Sequence, residues 1–160
     1  MYRRVLLAYD GSREGRGALR EGAVMARRFG CQVFLLCVVA ESPGVRIGEA
    51  AYAGAVAHTS GTYRELFDEA MARLRELGFE PQGKIVTGEP AAEIAAYVRQ
   101  IGADLVVVGH RKKNLLERWW SGETGAYLVD HIGCSLLIAR STLSDEEFFA
   151  AFGREAKAKA

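Results

Sequence analysis

Two runs of the sequence, VLLAY at residues 5–9 and LVVVG at residues 105–109, are continuously apolar. A strand with one face in water alternates apolar and polar side chains, so these runs predict strands that are covered on both faces. Strands of that kind belong to parallel sheets that lie between two layers of helices. The two runs therefore predict the centre of an α/β sheet.

The rest of the chain supplies the other elements of such a fold. Short apolar or β-branched runs predict strands over Arg3–Ala8, Gln32–Ala40, Lys84–Val86, Asp104–Val108 and Ser135–Ala139. Apolar residues at helical spacing, each series followed by glycine, predict helices over Ser12–Phe29, Thr59–Leu77 and Ala91–Ile101. We expect long loops over Glu41–His58 and His110–Ser121. This order predicts a doubly wound, Rossmann-like sheet of five parallel strands in the order 3-2-1-4-5, with helices on both faces.

Composition narrows the class of function. The chain has 160 residues, with 21 Lys and Arg against 20 Asp and Glu, so it has no overall field to attract nucleic acid or an anionic membrane. No apolar run reaches the roughly 18 residues of a membrane span, and the first residues lack a signal-peptide pattern, so we expect a cytoplasmic protein. The three cysteines have no metal-site spacing, so we expect them to be free, buried thiols; they are Cys31, Cys37 and Cys134.

The ligand site of a doubly wound sheet is the crevice at the carboxyl ends of the strands, where the strand order reverses. We expect Tyr9–Ser12, Val38–Glu41 and Gly109–Gly122 to meet there. Asp10 has two interpretations: it caps the first helix, as Ser12 also could, or it accepts hydrogen bonds from a ligand or holds a metal. The residue types leave both open.

The loop after the fourth predicted strand has the layout of an anion site. Gly109 ends a buried strand, three cations follow at residues 111–113, and Ser121-Gly122 begins another predicted helix. Free N–H groups and the partial positive charge at a helix start favour phosphate, and glycine allows close approach to the backbone. The alternative is that the cations form a solvated basic loop.

Four stretches together resemble the universal stress protein family: VLLAYDGS at residues 5–12, LLCVV at 35–39, the Gly109–Gly122 loop, and DHIGCSLLIAR at 130–140. The resemblance covers residues 1–140. Nucleotide-binding members of that family carry a G-x2-G-x9-G-(S/T) loop around the phosphates. Gly109 and Gly122 match this pattern, whereas Lys112 replaces the second glycine and Glu123 replaces the Ser or Thr. Without a bridging Mg²⁺, the Glu123 carboxylate would repel a triphosphate.

The resemblance implies roles for individual residues. Asp10 would contact the ribose, Ala8 and Val38 would flank the adenine, and Val108 and Gly109 would line the nucleoside. Lys112, Gly122 and Thr124 would face the phosphates. The full set of predicted binding residues is Ala8, Tyr9, Asp10, Val38, Val108, Gly109, Arg111, Lys112, Gly122, Glu123 and Thr124.

These residues predict a module of stress response or signalling that binds an adenine nucleotide, ATP or AMP, or another small anion. The alternative is a stress protein without nucleotide that acts through protein partners, with Glu123 blocking the phosphate site. No enzymatic activity beyond slow ATP hydrolysis is expected, because no nucleophile, base or metal cluster is evident. The Ser-Gly-Gly phosphate loop of related ATP pyrophosphatases is also missing at residues 10–12.

The end of the chain predicts contacts outside the sheet. Strand Ser135–Arg140 would lie at the sheet edge with unpaired backbone groups, and the resemblance implies a homodimer through this strand. Residues 141–160 would form an extension to the 1–140 domain. Ser144 and Glu147 have capping-box spacing, which predicts a short C-terminal helix, with Leu143 and Phe148 as a hydrophobic staple. Its phenylalanines would dock on their own domain, which we favour, on the dimer mate, or on another protein.

Overall fold

The computed structural model describes residues 1–40, 49–109, 128–140 and 143–153, without the side chains of residues 40 and 49–60. Its strands are β1 (Arg4–Tyr9), β2 (Gln32–Ala40), β3 (Gln82–Gly88), β4 (Leu105–Gly109) and β5 (Ser135–Ala139). Its helices are α1 (Arg13–Phe29), α2 (Glu49–Glu76), α3 (Pro90–Ile101) and α4 (Asp145–Ala151), and residues 128–131 are also helical.

The strands form one parallel sheet in the order β3-β2-β1-β4-β5, which confirms the predicted fold. From β1 the chain adds strands on one side and then returns to the other side with β4. The strand order therefore reverses between β1 and β4. In doubly wound sheets the ligand crevice is expected at such a reversal, at the carboxyl edge of the sheet.

Two apolar cores explain why the central strands are continuously apolar. Val5 and Leu7 face a core built with α1 and α2, whereas Leu6 faces a core built with α3 and the helical residues 128–131. All three side chains are at most 1 % exposed. Because successive side chains of a strand point to opposite faces, both sets of positions in β1 must be apolar.

Helix α2 is longer than predicted. It begins at Glu49, so the expectation of a loop over Glu41–His58 is wrong for residues 49–58, while residues 41–48 lie outside the described residues. The added stretch, EAAYAGAVAH, is rich in alanine, which has the highest intrinsic helix propensity. Alanine in this number gives no apolar stripe on one face, so this stretch lacks the helical periodicity that marks the other helices.

Asp104 fixes the register of the two central strands at their amino ends. Its carboxylate accepts hydrogen bonds from the backbone N–H groups of Arg3 and Arg4 at 2.8 and 3.0 Å. The Arg4 guanidinium also donates to the carbonyl oxygen of Ile101 at 3.1 Å. Since Val107 then pairs with Leu7, β1 and β4 end at the same level, on either side of the crevice.

The three cysteines are free thiols, as predicted. Cys31 and Cys37 are buried, and Cys134 is half-buried. Burial raises the pKa of the Cys37 thiol to about 12, and the nearby charge of Asp10 acts in the same direction. Among the described residues, none of the helices combines the length and the apolar character that crossing a bilayer requires.

The predicted C-terminal helix is present as α4, and it starts with the predicted capping box. The Ser144 hydroxyl accepts a hydrogen bond from the Glu147 N–H at 3.2 Å, and the Glu147 carboxylate accepts one from the Ser144 N–H at 2.9 Å. The hydrogen bond from the Ser144 backbone lowers the pKa of the Glu147 carboxyl, and a hydrogen bond with the Ser144 side chain lowers it further. The box holds the first turn of α4 in place.

Helix α4 packs on its own chain, as expected. Phe148 is buried, and the Arg20 guanidinium of α1 lies 4.6 Å from the centre of its ring. Arg20 also forms an ion pair with Asp145 at 2.7 Å. At the other end of the helix, Phe152 contacts Phe79 edge to face, with ring centres 6.0 Å apart. Phe148 and Phe152 thus hold α4 against α1 and against the turn before β3.

Replacing Phe148 by alanine should release α4 without unfolding the sheet. Truncating a buried phenylalanine costs about 3–5 kcal/mol, and a helix as short as α4 is not stable in water without its packing. We expect the amides of residues 143–153 to lose their protection from hydrogen exchange while those of β1 and β4 keep theirs. The exposed Glu146→Ala variant serves as the control. Equal loss of protection in the central strands would show that α4 is part of the cooperative core.

Candidate functional site

The carboxyl ends of β1, β2 and β4 define the candidate site. β1 ends at Tyr9 and β4 ends at Gly109, on the two sides of the reversal in strand order. β2 lies on the other side of β1, and its residues from Val38 onward extend past the Tyr9–Cys37 pair. Three of the predicted segments therefore contribute residues to one edge of the sheet.

An apolar surface lies on one face of this edge. Ala8, Val38 and Val86 are half-buried and pack on the core that contains α3, and Val108 in the same core is 2 % exposed. Val38 pairs with Val86 across β2 and β3. Half-buried apolar side chains beside polar groups are typical of small-molecule sites, where they pack against an aromatic ring. The surface thus has the chemistry to hold a heterocyclic base.

Sequence reasoning predicted Ala8, Val38 and Val108 at this surface but missed Val86. Val86 closes the predicted strand Lys84–Val86, and the predicted strand order places that strand beside β2. The signal was therefore present, because the ends of neighbouring parallel strands lie at the same edge of a sheet. The pairing of Val86 with Val38 follows from the register of β2 and β3, which the structure supplies.

Tyr9 points away from this apolar surface. Its side chain is 5 % exposed and belongs to the core with α1 and α2, on the opposite face from Ala8. Burial raises the pKa of the Tyr9 hydroxyl, against a hydrogen bond with Arg16 that lowers it. The Tyr9 phenol ring is therefore not part of the apolar surface, and a binding role for Tyr9 stays a prediction.

The turn after β1 presents a carboxylate at the crevice. Asp10 is exposed, and its Oδ1 accepts hydrogen bonds from the Ser12 N–H at 3.0 Å and the Ser12 hydroxyl at 2.6 Å. The cap of α1 is Ser12, whose hydroxyl oxygen accepts from the Gly15 N–H at 2.9 Å. Of the two interpretations of this turn, the structure gives the capping role to Ser12. Asp10 is left as an oriented acceptor.

Gly109 brings the end of β4 against the first turn of α1. A Cβ atom at this position would lie 2.8 Å from both the carbonyl carbon and the carbonyl oxygen of Glu14, and 3.0 Å from the Gly15 nitrogen. These are backbone atoms, which cannot rotate away as a side chain can. The close approach therefore requires glycine, and it places the positive end of α1 beside the end of β4.

The predicted anion loop lies outside the described residues. This applies to Arg111, Lys112, Gly122, Glu123 and Thr124, whose roles in nucleotide binding stay predictions. In the part of the chain that the structure does describe, no three His, Cys, Asp or Glu side chains are grouped so that they could hold a metal ion.

A parallel sheet with this reversed order, covered on both faces and with its candidate site at the switch point, defines a doubly wound α/β protein. The model of the universal stress protein family matches residues 1–140. The chain belongs to the universal stress protein family.

Individual proteins are similar to this chain in sequence or in fold. The chain is 27 % identical over 144 residues to a universal stress protein of Methanocaldococcus jannaschii, covering 88 % of this chain and 83 % of the relative. Among solved structures, the universal stress protein UspA from Lactobacillus plantarum has a TM-score of 0.69 at 22 % identity, covering 87 % of this chain and 98 % of that one.

Two similar structures were solved with adenine nucleotides. A universal stress protein in complex with cAMP has a TM-score of 0.62, and one from Archaeoglobus fulgidus in complex with dAMP has a TM-score of 0.57. Each is 19 % identical to this chain, and each comparison covers 88 % of this chain and 98 % of the other. At such identity the likeness shows a common fold, and the nucleotides belong to those proteins.

Proposed function

We propose that this protein binds an adenine nucleotide, AMP or ATP, in the crevice between β1 and β4, and that it acts by binding and not by catalysis. One observation carries the proposal. An apolar, half-buried surface lies at the same sheet edge as the Asp10 carboxylate, which its own turn holds in place. That combination matches a nucleoside, which has an apolar ring at one end and hydroxyl donors at the other.

The nucleoside half is assigned to described residues. The adenine ring would pack on Ala8, Val38 and Val86, with Val108 and Gly109 beside it. The ribose hydroxyls would donate to Asp10, and hydrogen bonds to a carboxylate are stronger than neutral ones. The similar structures that hold cAMP and dAMP support an adenine ligand of this size.

The phosphate half is assigned to the loop after β4. Arg111, Lys112, Gly122 and Thr124 would face the phosphates, and Glu123 would oppose them. Two unit charges about 4 Å apart interact by about 1 kcal/mol in water and by about 4 kcal/mol at an effective dielectric of 20. A triphosphate should therefore need Mg²⁺ near Glu123 more than a monophosphate does.

The dimer is a separate part of the proposal. β5 lies at the edge of the sheet, and its Leu136, Leu137 and Ile138 are only half-buried. An uncovered edge strand with an apolar face favours pairing with a second copy. We place this homodimer in the cytoplasm, with a role in stress response or signalling that follows from the family.

Calorimetric titration of the full chain, purified free of nucleotide, tests the binding proposal. We expect saturable binding of AMP without Mg²⁺. Adding Mg²⁺ should raise the affinity for ATP more than the affinity for AMP. CMP should bind more weakly than AMP, because its smaller ring covers less of the apolar surface. We also expect no steady turnover of ATP. Absence of heat with both AMP and ATP, with and without Mg²⁺, would contradict the proposal. It would favour the alternative, in which the protein acts through protein partners.

A further inference from the structure

Helices α1 and α4 both begin with a capping serine, but they complete the cap differently. In α4, Glu147 stands three residues after Ser144, and its carboxylate accepts the Ser144 N–H at 2.9 Å. In α1, the residue three after Ser12 is Gly15, and the Ser12 N–H donates at 3.0 Å to Asp10, which precedes the helix. Asp10 therefore takes the place that the capping-box glutamate has in α4.

The Ser12 hydroxyl adds a second bond to the same carboxylate oxygen. It accepts a hydrogen bond from the Gly15 N–H at 2.9 Å, so its own proton is directed to Asp10 Oδ1, at 2.6 Å. A hydroxyl has only one proton to donate, and this one is committed. Ser12 thus holds one oxygen of Asp10 with two donors.

Gly15 gives the carboxylate the space it occupies. A Cβ atom built at Gly15 would come closer than 3.0 Å to Asp10 Oδ1, a separation that real Cβ atoms essentially never show. Inside a helix, alanine is otherwise favoured over glycine. The glycine therefore makes the helix start less favourable, and in return the Asp10 carboxylate lies against the first turn of α1.

We infer that Ser12 and Gly15 are positioning residues for the Asp10 carboxylate: Ser12 holds it with two hydrogen bonds, and Gly15 leaves room for it, so that it meets the ribose hydroxyls of the bound nucleotide. This inference rests on the proposed function, and it assigns to the site two residues that do not themselves touch the ligand. A side chain at position 15 would turn the carboxylate away from the ribose and break its bonds to Ser12.

The test compares two ligands, AMP and 2′,3′-dideoxy-AMP, by calorimetry. In Gly15→Ala we expect the affinity for AMP to fall about tenfold, the equivalent of one hydrogen bond to a charged group, and the affinity for dideoxy-AMP to stay unchanged. The melting temperature should change little, because the helix preference of alanine offsets the lost hydrogen bonds between Ser12 and Asp10. A loss that affects both ligands equally would mean that Gly15 has only a structural role, and it would overturn the inference.

Ser12 has a matched control in the same chain. Ser12→Ala and Ser144→Ala each remove a serine cap, so both should lower the melting temperature. Only Ser12→Ala should also weaken AMP, and Ser12→Thr, which keeps the hydroxyl, should restore the affinity. Equal AMP affinity in Ser12→Ala and Ser144→Ala would overturn the role of Ser12.

A measurement without ligand separates this inference from the proposed function. The amide proton of Ser12 donates to a carboxylate, so its NMR resonance should move upfield and its hydrogen exchange should accelerate in Gly15→Ala, as in Asp10→Ala. If the wild-type protein does not bind AMP, the proposed function fails, and this resonance still decides whether Gly15 holds Asp10 in place. An unchanged Ser12 resonance in Gly15→Ala would contradict the inference whether or not nucleotide binds.

Discussion

The Gly109→Ala variant is expected to lose about 1–3 kcal/mol of its free energy of unfolding, the usual cost of forcing an extra group into a packed site. The new Cβ would lie 2.8 Å from the carbonyl atoms of Glu14, which belong to the backbone of the first turn of α1. Relief requires that α1 and β4 move apart. That movement also separates the Asp10 turn from the end of β4, so nucleotide binding should weaken together with stability.

Denaturant titration of Gly109→Ala beside Gly133→Ala checks this prediction. Gly133 has no heavy atom within 4 Å of a Cβ built on it and has no left-handed backbone, so its replacement should change the free energy of unfolding by no more than about 0.5 kcal/mol. If the two variants were equally stable, the contact between β4 and α1 would not require glycine at position 109.

The Asp10→Ala variant is expected to bind AMP about ten to one hundred times more weakly than wild type. Hydrogen bonds to a charged group contribute about 1.5–3 kcal/mol each, and the ribose would lose its acceptor. Stability should fall by about 1 kcal/mol or less, because Ser12 still caps α1 through the Gly15 N–H but loses Asp10 as the acceptor of its own N–H. The larger effect should therefore appear in the affinity.

Asp130→Ala is the matched control for this variant. Asp130 is an exposed carboxylate in the helical residues 128–131, which lead to β5 at the amino edge of the sheet, opposite the crevice. Calorimetry with AMP should give wild-type affinity for Asp130→Ala. If Asp10→Ala and Asp130→Ala both bound AMP as wild type does, the ribose would not lie at the end of β1.

Most of the fold could be predicted because the signals that specify it are local. The continuous apolar runs of β1 and β4 require cover on both faces, and the glycines after the predicted helices mark their ends. The start of α2 was missed because alanine supports a helix without marking a buried face. Period-two alternation would also have placed the Tyr9 side chain opposite Ala8, had it been applied to the end of β1.

The site was less predictable because its contacts join residues through space. Sequence could not divide the capping and binding roles between Asp10 and Ser12, since both residue types cap helices well. The clearance at Gly15 depends on how the turn after β1 folds back on the first turn of α1, which no spacing rule reports. The predicted effects of the loop residues Lys112 and Glu123 on phosphate binding stay predictions.

A crystal structure of the full chain grown with AMP tests the central claim most directly. We expect electron density for the adenine over Ala8 and Val38, with the ribose hydroxyls within hydrogen-bond distance of Asp10 and the phosphate directed toward Gly122. Density for AMP at another surface would contradict it. So would a crevice filled by the protein's own side chains, with the Glu123 carboxylate where the phosphate should lie.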